Sequence, residues 1–266
     1  MIAEACILSL DRATERRPQV NRTISTCPLK CSVISAVDGN LLSDAEISRV
    51  YQRKLHSPTY IAELRKAEIG CFLSHRKAWQ KIATGAADAV LILEDDMQLQ
   101  QPQFDAALQF ALANIVPGDY LKFHAGEIRT PAAVLKSSGP HALISPVVAP
   151  LGATSQLITR EAALRLLDAS IVFDRPVDTF VQMTWLTGVA IKVVTPCCVF
   201  EISRDLGGST ISQKKKFWPW LQREFRRPVY RMQINRLSRL QQQRHSETPV
   251  KEQLSGKRSA PISDAA

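Results

Sequence analysis

Three consecutive carboxylates, Glu94-Asp95-Asp96, directly follow the five-residue apolar run 89–93. Such a run is typical of a strand buried on both faces of a parallel sheet, and ligands of open α/β sheets bind beyond the carboxyl ends of the strands. Adjacent like charges repel each other unless a cation offsets them, and Mn²⁺ or Mg²⁺ prefers oxygen ligands, including phosphate oxygens. The triplet therefore favours a metal and diphosphate site. The competing interpretation is an acidic loop whose carboxylates cap backbone amides.

A helix is predicted over residues 68–83, where apolar residues recur at a spacing near 3.6. Its inward face includes His75, and a lone histidine on such a face is more often a core residue than part of a site. Gly70 lies inside the same helix, where glycine costs about 1 kcal/mol relative to alanine. We therefore expect the backbone at Gly70 to approach a neighbouring segment or a ligand closely.

Short apolar runs predict the strands that must position these residues, and they cover residues 5–10, 33–37, 89–93, 120–123 and 190–194. Helical patterns over 68–83 and 160–169 alternate with them, which indicates an α/β fold with a mostly parallel sheet. The longest uncharged stretch, 137–159, is interrupted by prolines and a glycine. It is therefore predicted to form loop and strand and not a membrane-spanning helix.

The positive charge of the chain is concentrated near its carboxyl end. The formal net charge is +9, and residues 214–244 contain ten basic residues against one acid. The chain is therefore expected to consist of a balanced domain over 1–212, a basic helical extension over 213–245 and a disordered tail over 246–266. The high isoelectric point then says little about the ligand of the domain itself.

The six cysteines of the chain occur without a recognisable secretory signal. They also lack the paired spacing and histidine partners of a structural zinc site. Free thiols in a reducing, cytoplasmic compartment are therefore expected.

Four motifs occur in an order that resembles family 25 glycosyltransferases, the lipooligosaccharide galactosyltransferases of Gram-negative bacteria and their relatives. They are Ala36-Val37-Asp38-Gly39, then Glu68-Ile69-Gly70-Cys71 with Ser74-His75 and Trp79, then Leu91-Ile92-Leu93-Glu94-Asp95-Asp96, then Pro176-Val177-Asp178. Each motif alone is common, whereas the combination is specific. The resemblance covers about residues 5 to 212.

The resemblance implies an A-type glycosyltransferase fold, which is Rossmann-like, and transfer from a UDP-sugar with inversion at the anomeric carbon. It implies that Asp95 and Asp96 hold Mn²⁺ or Mg²⁺ and that Glu94 is a catalytic carboxylate. A metal ion on the diphosphate would offset the charge that develops as the glycosidic bond breaks. Galactose is the commonest donor sugar in that family and is therefore the expected one.

The family resemblance also implies a set of donor-binding residues. Ser9-Leu10-Asp11-Arg12 is similar to the family's Asn-Leu-Asp-Arg opening, with serine in place of the usual asparagine, which puts a polar role at that position in question. The expected donor-binding residues are Leu10, Asp11, Arg12, Asp38, His75 and Asp95. Either Arg16 or Arg17 is expected near phosphate; the alternative is a solvated helix start.

An inverting transfer needs a base that takes the proton of the acceptor hydroxyl. Asp178 is the first candidate because it matches the family's Pro-Val-Asp, and Asp174 and Glu127 are in reserve. The alternative is that Asp178 caps the following helix.

The expected partners are a UDP-sugar donor, a glycan or lipid-linked oligosaccharide acceptor, and an anionic membrane surface that residues 214–244 would contact. Basic residues beside Phe217, Trp218 and Trp220 favour such a surface, and the predicted location is peripheral, on the inner face of the cytoplasmic membrane. Farther along, Val229, Met232, Leu237 and Leu240 share one face that arginines interrupt. The competing interpretation is a solvated basic helix partly packed on the domain.

Two other functions compete with glycosyl transfer. The basic segment suits a nucleic-acid-binding protein, but a neutral domain with an acidic triplet disfavours it, and no nucleic acid is expected. The other alternative is a family member that binds carbohydrate without catalysis.

Overall fold

The structure, a computed structural model, describes residues 1–124, 128, 130–204, 206 and 226–243. The strands in these ranges are β1 (Ala3–Ser9), β2 (Cys31–Ser35), β3 (Ala89–Glu94), β4 (Met97–Leu99), β5 (Asp119–Lys122), β6 (Ala132–Ser138), β7 (His141–Pro146), β8 (Ser155–Thr159), β9 (Ala190–Thr195) and β10 (Val199–Glu201). The helices are α1 (Arg17–Thr26), α2 (Asp44–Val50), α3 (Lys66–Thr84), α4 (Gln103–Asn114), α5 (Arg160–Ala169), α6 (Val177–Val181), α7 (Thr184–Thr187) and α8 (226–243).

Eight of the strands form one sheet in the order β2-β1-β3-β8-β5-β9-β7-β6. Six of them run in the same direction, while β7 and β8 run against their neighbours. The predicted α/β fold with a mostly parallel, Rossmann-like sheet is therefore confirmed. Leu8 of β1 pairs in register with Glu94 of β3, so the segments that follow these two strands begin at the same edge of the sheet.

Alternation along the strands divides the core between the two faces of the sheet. Cys6 and Leu8 of β1 belong to a cluster under α3 and α5, whereas Ala5 and Ile7 belong to a cluster under α1 and α4. Phe72 of α3 lies at the centre of the first cluster, where its ring stacks on that of Phe173 with 3.7 Å between the ring centroids. Helices on both faces explain why the strands read as uninterrupted apolar runs.

The predicted elements correspond to β1, β2, β3, β5, β9, α3 and α5, with end positions that differ by a few residues. The stretch 137–159 contains parts of β6 and all of β7 and β8 joined by loops, as expected. None of the helices in the described ranges has the length and apolarity needed to cross a bilayer. All six cysteines are free thiols. The predicted boundaries at 212 and 245 fall outside the described residues.

Gly70 is where α3 touches the loop that follows β2. A Cβ atom on Gly70 would lie 2.6 Å from the carbonyl oxygen of Val37 and from the backbone nitrogen of Gly39. The hydroxyl of Ser74, one turn later, accepts a hydrogen bond from the Val37 N–H at 2.8 Å. The close approach predicted at Gly70 is therefore confirmed, and the neighbour is the backbone beside Asp38.

Candidate active site

A cavity of about 430 Å³ opens at the edge of the sheet where β1 and β3 end. This volume lies in the range of small-molecule sites, and the edge is where ligands of open α/β sheets bind. The predicted site residues that line it are Leu10, Arg12, Asp38, His75, Glu94, Asp95, Asp96 and Asp178. Asp11 does not line the cavity: its carboxylate is exposed and accepts a hydrogen bond from Ser35 at 2.6 Å.

The acidic triplet is partly neutralised by a buried arginine. Asp95 and Asp96 are each 8% exposed, and Nη1 of Arg16 lies 2.5 Å from Asp95 Oδ1 and 3.2 Å from Asp96 Oδ2. Arg16 is only 4% exposed and immediately precedes α1. The chain itself thus supplies part of the positive charge that the clustered carboxylates require. Of the two arginines expected near phosphate, Arg16 is the one that lines the cavity.

The acidic pair also fits a divalent cation. Oδ1 of Asp96 is buried and has no hydrogen-bond partner among the residues described, although a buried carboxylate oxygen normally has one. Burial raises the pKa of Asp96 to about 6, with a further contribution from the charge of Glu94, while Arg16 lowers it. A hard cation beside Asp95 and Asp96 would satisfy the unpaired oxygen and offset the remaining charge.

His75 belongs to both the core and the site. Its ring is fully buried, Nε2 lies 3.4 Å from Oε1 of Glu94, and Nδ1 lies 3.4 Å from Nε2 of Gln156. Gln156 accepts a hydrogen bond from the Tyr120 hydroxyl and donates one to the Ala153 carbonyl, which fixes its amide so that Nε2 donates to Nδ1. The proton of His75 is then on Nε2, where it is donated to Glu94.

Cys71, His75 and Glu94 form a second cluster of possible metal ligands. One ligand atom from each lies within 4.8 Å of the other two, and a sulfur, nitrogen and oxygen set is of the kind that binds zinc. The proton on Nε2 of His75 occupies the nitrogen that would bind the metal. Burial raises the pKa of the Cys71 thiol well above its usual value, and nearby carboxylates add to this effect. Metal binding at this cluster would therefore require the release of the Cys71 thiol proton and of the His75 Nε2 proton.

Asp178 faces the cavity from the first turn of α6. Its Oδ2 accepts a hydrogen bond from the backbone N–H of Gly152 at 3.0 Å, and its Oδ1 accepts one from the backbone N–H of Thr179 at 2.7 Å. Asp178 thus binds two backbone amides and faces the cavity, but it does not cap α6, whose N-cap is Pro176. Its role as the base stays a prediction.

Of the two reserve bases, Asp174 does not line this cavity and Glu127 is not among the residues described. Asp174 is 1% exposed, pairs with Nε of Arg175 at 2.6 Å and does not line the cavity. Glu127 lies outside the described residues.

Lys122 is a buried cation that the sequence analysis did not single out. Its ammonium donates hydrogen bonds to the carbonyls of Pro150 and Gly152, in the loop that carries the amide bound to Asp178. Burial lowers the pKa of Lys122 to about 8, although the charges of Asp178 and Glu94 oppose this shift. Lys122 therefore fixes the backbone of the loop that contains Pro150 and Gly152, next to Asp178.

Arg12 and Asp38 form an ion pair at the mouth of the cavity. Burial raises the pKa of Asp38, but hydrogen bonds from Arg12 and from the Asn40 N–H outweigh this effect and lower it overall. The carboxylate stays charged and can accept further hydrogen bonds, as from hydroxyl groups of a ligand.

The chain is similar to known proteins in sequence and in structure. The family described as glycosyltransferase family 25 (LPS biosynthesis protein) matches residues 2–181. Procollagen galactosyltransferase 1 of Danio rerio is 31% identical over 100 residues, which are 36% of this chain and 17% of that protein. Procollagen galactosyltransferase 2 of Homo sapiens is 29% identical over 115 residues, which are 42% of this chain and 18% of that protein.

A human relative described as inactive glycosyltransferase 25 family member 3 is 30% identical over 100 residues, which are 36% of this chain and 17% of that protein. The chain thus aligns with less than a fifth of the length of these relatives. Among solved structures, a mannose-1-phosphate geranyltransferase from Thermus thermophilus is similar, with a TM-score of 0.37 and 10% identity, over 73% of this chain and 74% of the other.

Proposed function

The chain belongs to glycosyltransferase family 25, as its motifs predict, and we propose that it transfers galactose from UDP-galactose to a hydroxyl group of a glycan or lipid-linked oligosaccharide, with inversion. The observation that carries this proposal is one cavity lined by the acidic triplet, a buried arginine and a separate carboxylate, Asp178. The names of the two galactosyltransferase relatives support the choice of galactose. The family's description supports an acceptor of the lipopolysaccharide type.

Donor binding would use both the negative carboxylates and the positive arginine of the buried cluster. Asp95 and Asp96 would hold Mn²⁺ or Mg²⁺, which supplies positive charge to the diphosphate leaving group. The unpartnered Oδ1 of Asp96 supports this assignment. Arg16, fixed by the same two carboxylates, adds a permanent positive charge at the point where negative charge develops. Because it is already held in place, it needs little reorganisation during the reaction.

The nucleoside end of the donor would occupy the mouth of the cavity. Leu10 offers an apolar contact there, and Asp38, which stays ionised beside Arg12, can accept hydrogen bonds from ribose hydroxyls. A donor-binding role for Asp11 remains a prediction, since its carboxylate is bound to Ser35 outside the cavity lining.

We assign the base to Asp178. Its Oδ1 accepts hydrogen bonds from both the backbone N–H and the hydroxyl of Thr179, whereas Oδ2 accepts the Gly152 N–H and keeps a second lone pair. Oδ2 can therefore take the proton of the acceptor hydroxyl. As that proton moves to Asp178, the acceptor oxygen bonds to the anomeric carbon, and the bond from this carbon to the diphosphate oxygen breaks and releases UDP. Glu94, to which His75 donates, would bind a hydroxyl of the transferred sugar and so act as the second catalytic carboxylate.

The test is a transfer assay with UDP-galactose, Mn²⁺ and a mixture of oligosaccharide acceptors, followed by mass spectrometry of the products. Asp178→Asn should lower transfer by about two orders of magnitude or more, because the amide cannot take a proton. Asp44→Asn, an exposed position outside the cavity, is the matched control and should retain wild-type transfer. Normal transfer by the folded Asp178→Asn variant would overturn this assignment.

Carbohydrate binding without transfer is the second candidate function, because one relative bears the name of an inactive family member. The partial neutralisation of Asp95 and Asp96 by Arg16 is compatible with it. Titration of the protein with UDP-galactose separates the two functions, since a binding protein would bind the donor in the presence of Mn²⁺ and release no UDP.

A further inference from the structure

Helix α8 carries positive charge without any acid. Residues 226–243 include five arginines, at positions 226, 227, 231, 236 and 239, and no aspartate or glutamate. Residues 1–213 contain 21 basic and 21 acidic side chains and are therefore neutral overall. The net positive charge of the chain thus lies in the part that follows, which includes this helix. Its outward face is therefore a candidate contact for an anionic partner.

Contacts with the domain fix which side of α8 faces inward. Tyr230 is 9% exposed, and its hydroxyl accepts a hydrogen bond from Nη1 of Arg175 at 3.0 Å. Its ring also packs edge-on against that of Tyr60, with 5.8 Å between the ring centroids. One and two turns later, Ile234 and Ser238 are each 3% exposed. The buried residues at 230, 234 and 238 define one stripe, and the opposite stripe must face away from the domain.

The outward stripe combines apolar side chains with arginines. Val229, Met232 and Leu240 are 52%, 65% and 42% exposed, and the exposed Arg236 and Arg239 lie among them. Leu237, which the sequence pattern places on the same face, is partly turned inward. The predicted shared face therefore contains the three exposed apolar residues, with the half-buried Leu237 at its edge.

We propose that this outward face of α8 docks on an anionic lipid bilayer. Arg236 and Arg239 would meet lipid phosphates, while Val229, Met232 and Leu240 would enter the boundary between headgroups and acyl chains. The apolar side chains favour lipid over nucleic acid, because a phosphate backbone offers them no apolar surface and the outward stripe holds no aromatic ring for base stacking. Residues 214–225, where the predicted membrane segment begins, lie outside the described residues, so the proposal depends on α8 alone.

The test is cosedimentation of the full chain with vesicles of phosphatidylcholine alone or mixed in equal parts with phosphatidylglycerol. Wild-type protein should sediment with the mixed vesicles and stay in solution with neutral ones. Arg236→Gln/Arg239→Gln should weaken binding about thirtyfold, from the contribution of two basic residues at an anionic surface. The control Arg22→Gln/Arg49→Gln removes the same charge from exposed positions elsewhere and should have a much smaller effect.

A second variant separates the apolar contribution from the charge. Val229→Ser/Met232→Ser keeps every arginine, so its binding should be near normal at low salt and should fall below that of the wild type at high salt, where screening weakens the charge term. The proposal fails if the mixed vesicles bind no protein or if the control loses as much binding as the α8 arginine variant. It also fails if duplex DNA is bound while vesicles are not. The assay needs no turnover, so its outcome is independent of the proposed activity.

Discussion

Replacement of Arg16 by glutamine should destabilise the protein strongly, because it leaves Asp95 and Asp96 buried together without their shared cation. Both carboxylates are 8% exposed, and Glu94 adds a third negative charge that already raises the pKa of Asp96. Removing one partner of a buried ion pair costs about 3–5 kcal/mol. In a domain of this size, such a loss lowers the melting temperature by roughly 10 °C.

Thermal unfolding of the wild type, Arg16→Gln and Arg17→Gln, each in EDTA and in Mn²⁺, measures this effect. Arg17 is the matched control because it is adjacent and exposed. Mn²⁺ should recover part of the lost stability in Arg16→Gln, since a bound ligand stabilises the folded state by mass action, by about 2.7 kcal/mol at a hundredfold excess over its Kd. An Arg16→Gln variant as stable as Arg17→Gln would refute the role of Arg16. A variant that is destabilised but insensitive to Mn²⁺ would refute the ion site.

Three further substitutions test the support of the cavity. His75→Gln should lower kcat about tenfold with a small change in melting temperature, because Glu94 loses its hydrogen-bond donor. Unchanged turnover per folded molecule would assign His75 to the core alone. Gly70→Ala should lower the free energy of unfolding by about 1–2 kcal/mol, because the new Cβ meets the Val37 carbonyl and overpacking exceeds the gain in helix propensity; a higher urea midpoint would contradict this. The folded-state pKa of Lys122 lies below its unfolded value, so wild-type stability should rise by about 3 kcal/mol between pH 8 and 10.5 relative to Lys122→Met, which cannot titrate; parallel stability curves would contradict it.

The sequence predicts those parts of the site that local patterns determine. The apolar run before Glu94 identifies β3, and its abrupt change to acids places the triplet at the sheet edge. Gly70 is an unfavourable residue inside a strong helical pattern, and this cost indicates the close packing found against Val37. In each case the signal lies within a few residues, so neighbouring side chains suffice to detect it.

Long-range pairings could not be predicted in the same way. Arg16 lies in a charged cluster at a helix start, where several arginines look equivalent, and its partners are 79 and 80 positions away. Lys122 follows two apolar residues in a strand pattern, and its burial depends on the carbonyls of a loop near residue 150. The inward face of α8 depends on Tyr230 and Arg175, which are 55 positions apart.

The local sequence pattern also could not predict that β7 and β8 run antiparallel to their neighbours. Their sequences show strand character, but an apolar run does not reveal whether its neighbour in the sheet is parallel or antiparallel. Here β8 runs antiparallel between β3 and β5, so it starts beside the end of β3 and brings the loop before it to the cavity. The signal for this placement lies in the pairing partners and not in the strand itself.

Release of UDP from UDP-galactose is the most direct measurement of the central claim, which is metal-dependent glycosyl transfer in the cavity beside Asp96. Wild-type protein with Mn²⁺ should release UDP, faster when an acceptor is present, and excess EDTA should abolish the release. Asp96→Asn should lower it by orders of magnitude while the protein stays folded, whereas Asp44→Asn should behave like the wild type. Release that continues unchanged in EDTA, or at the normal rate in Asp96→Asn, would contradict the claim.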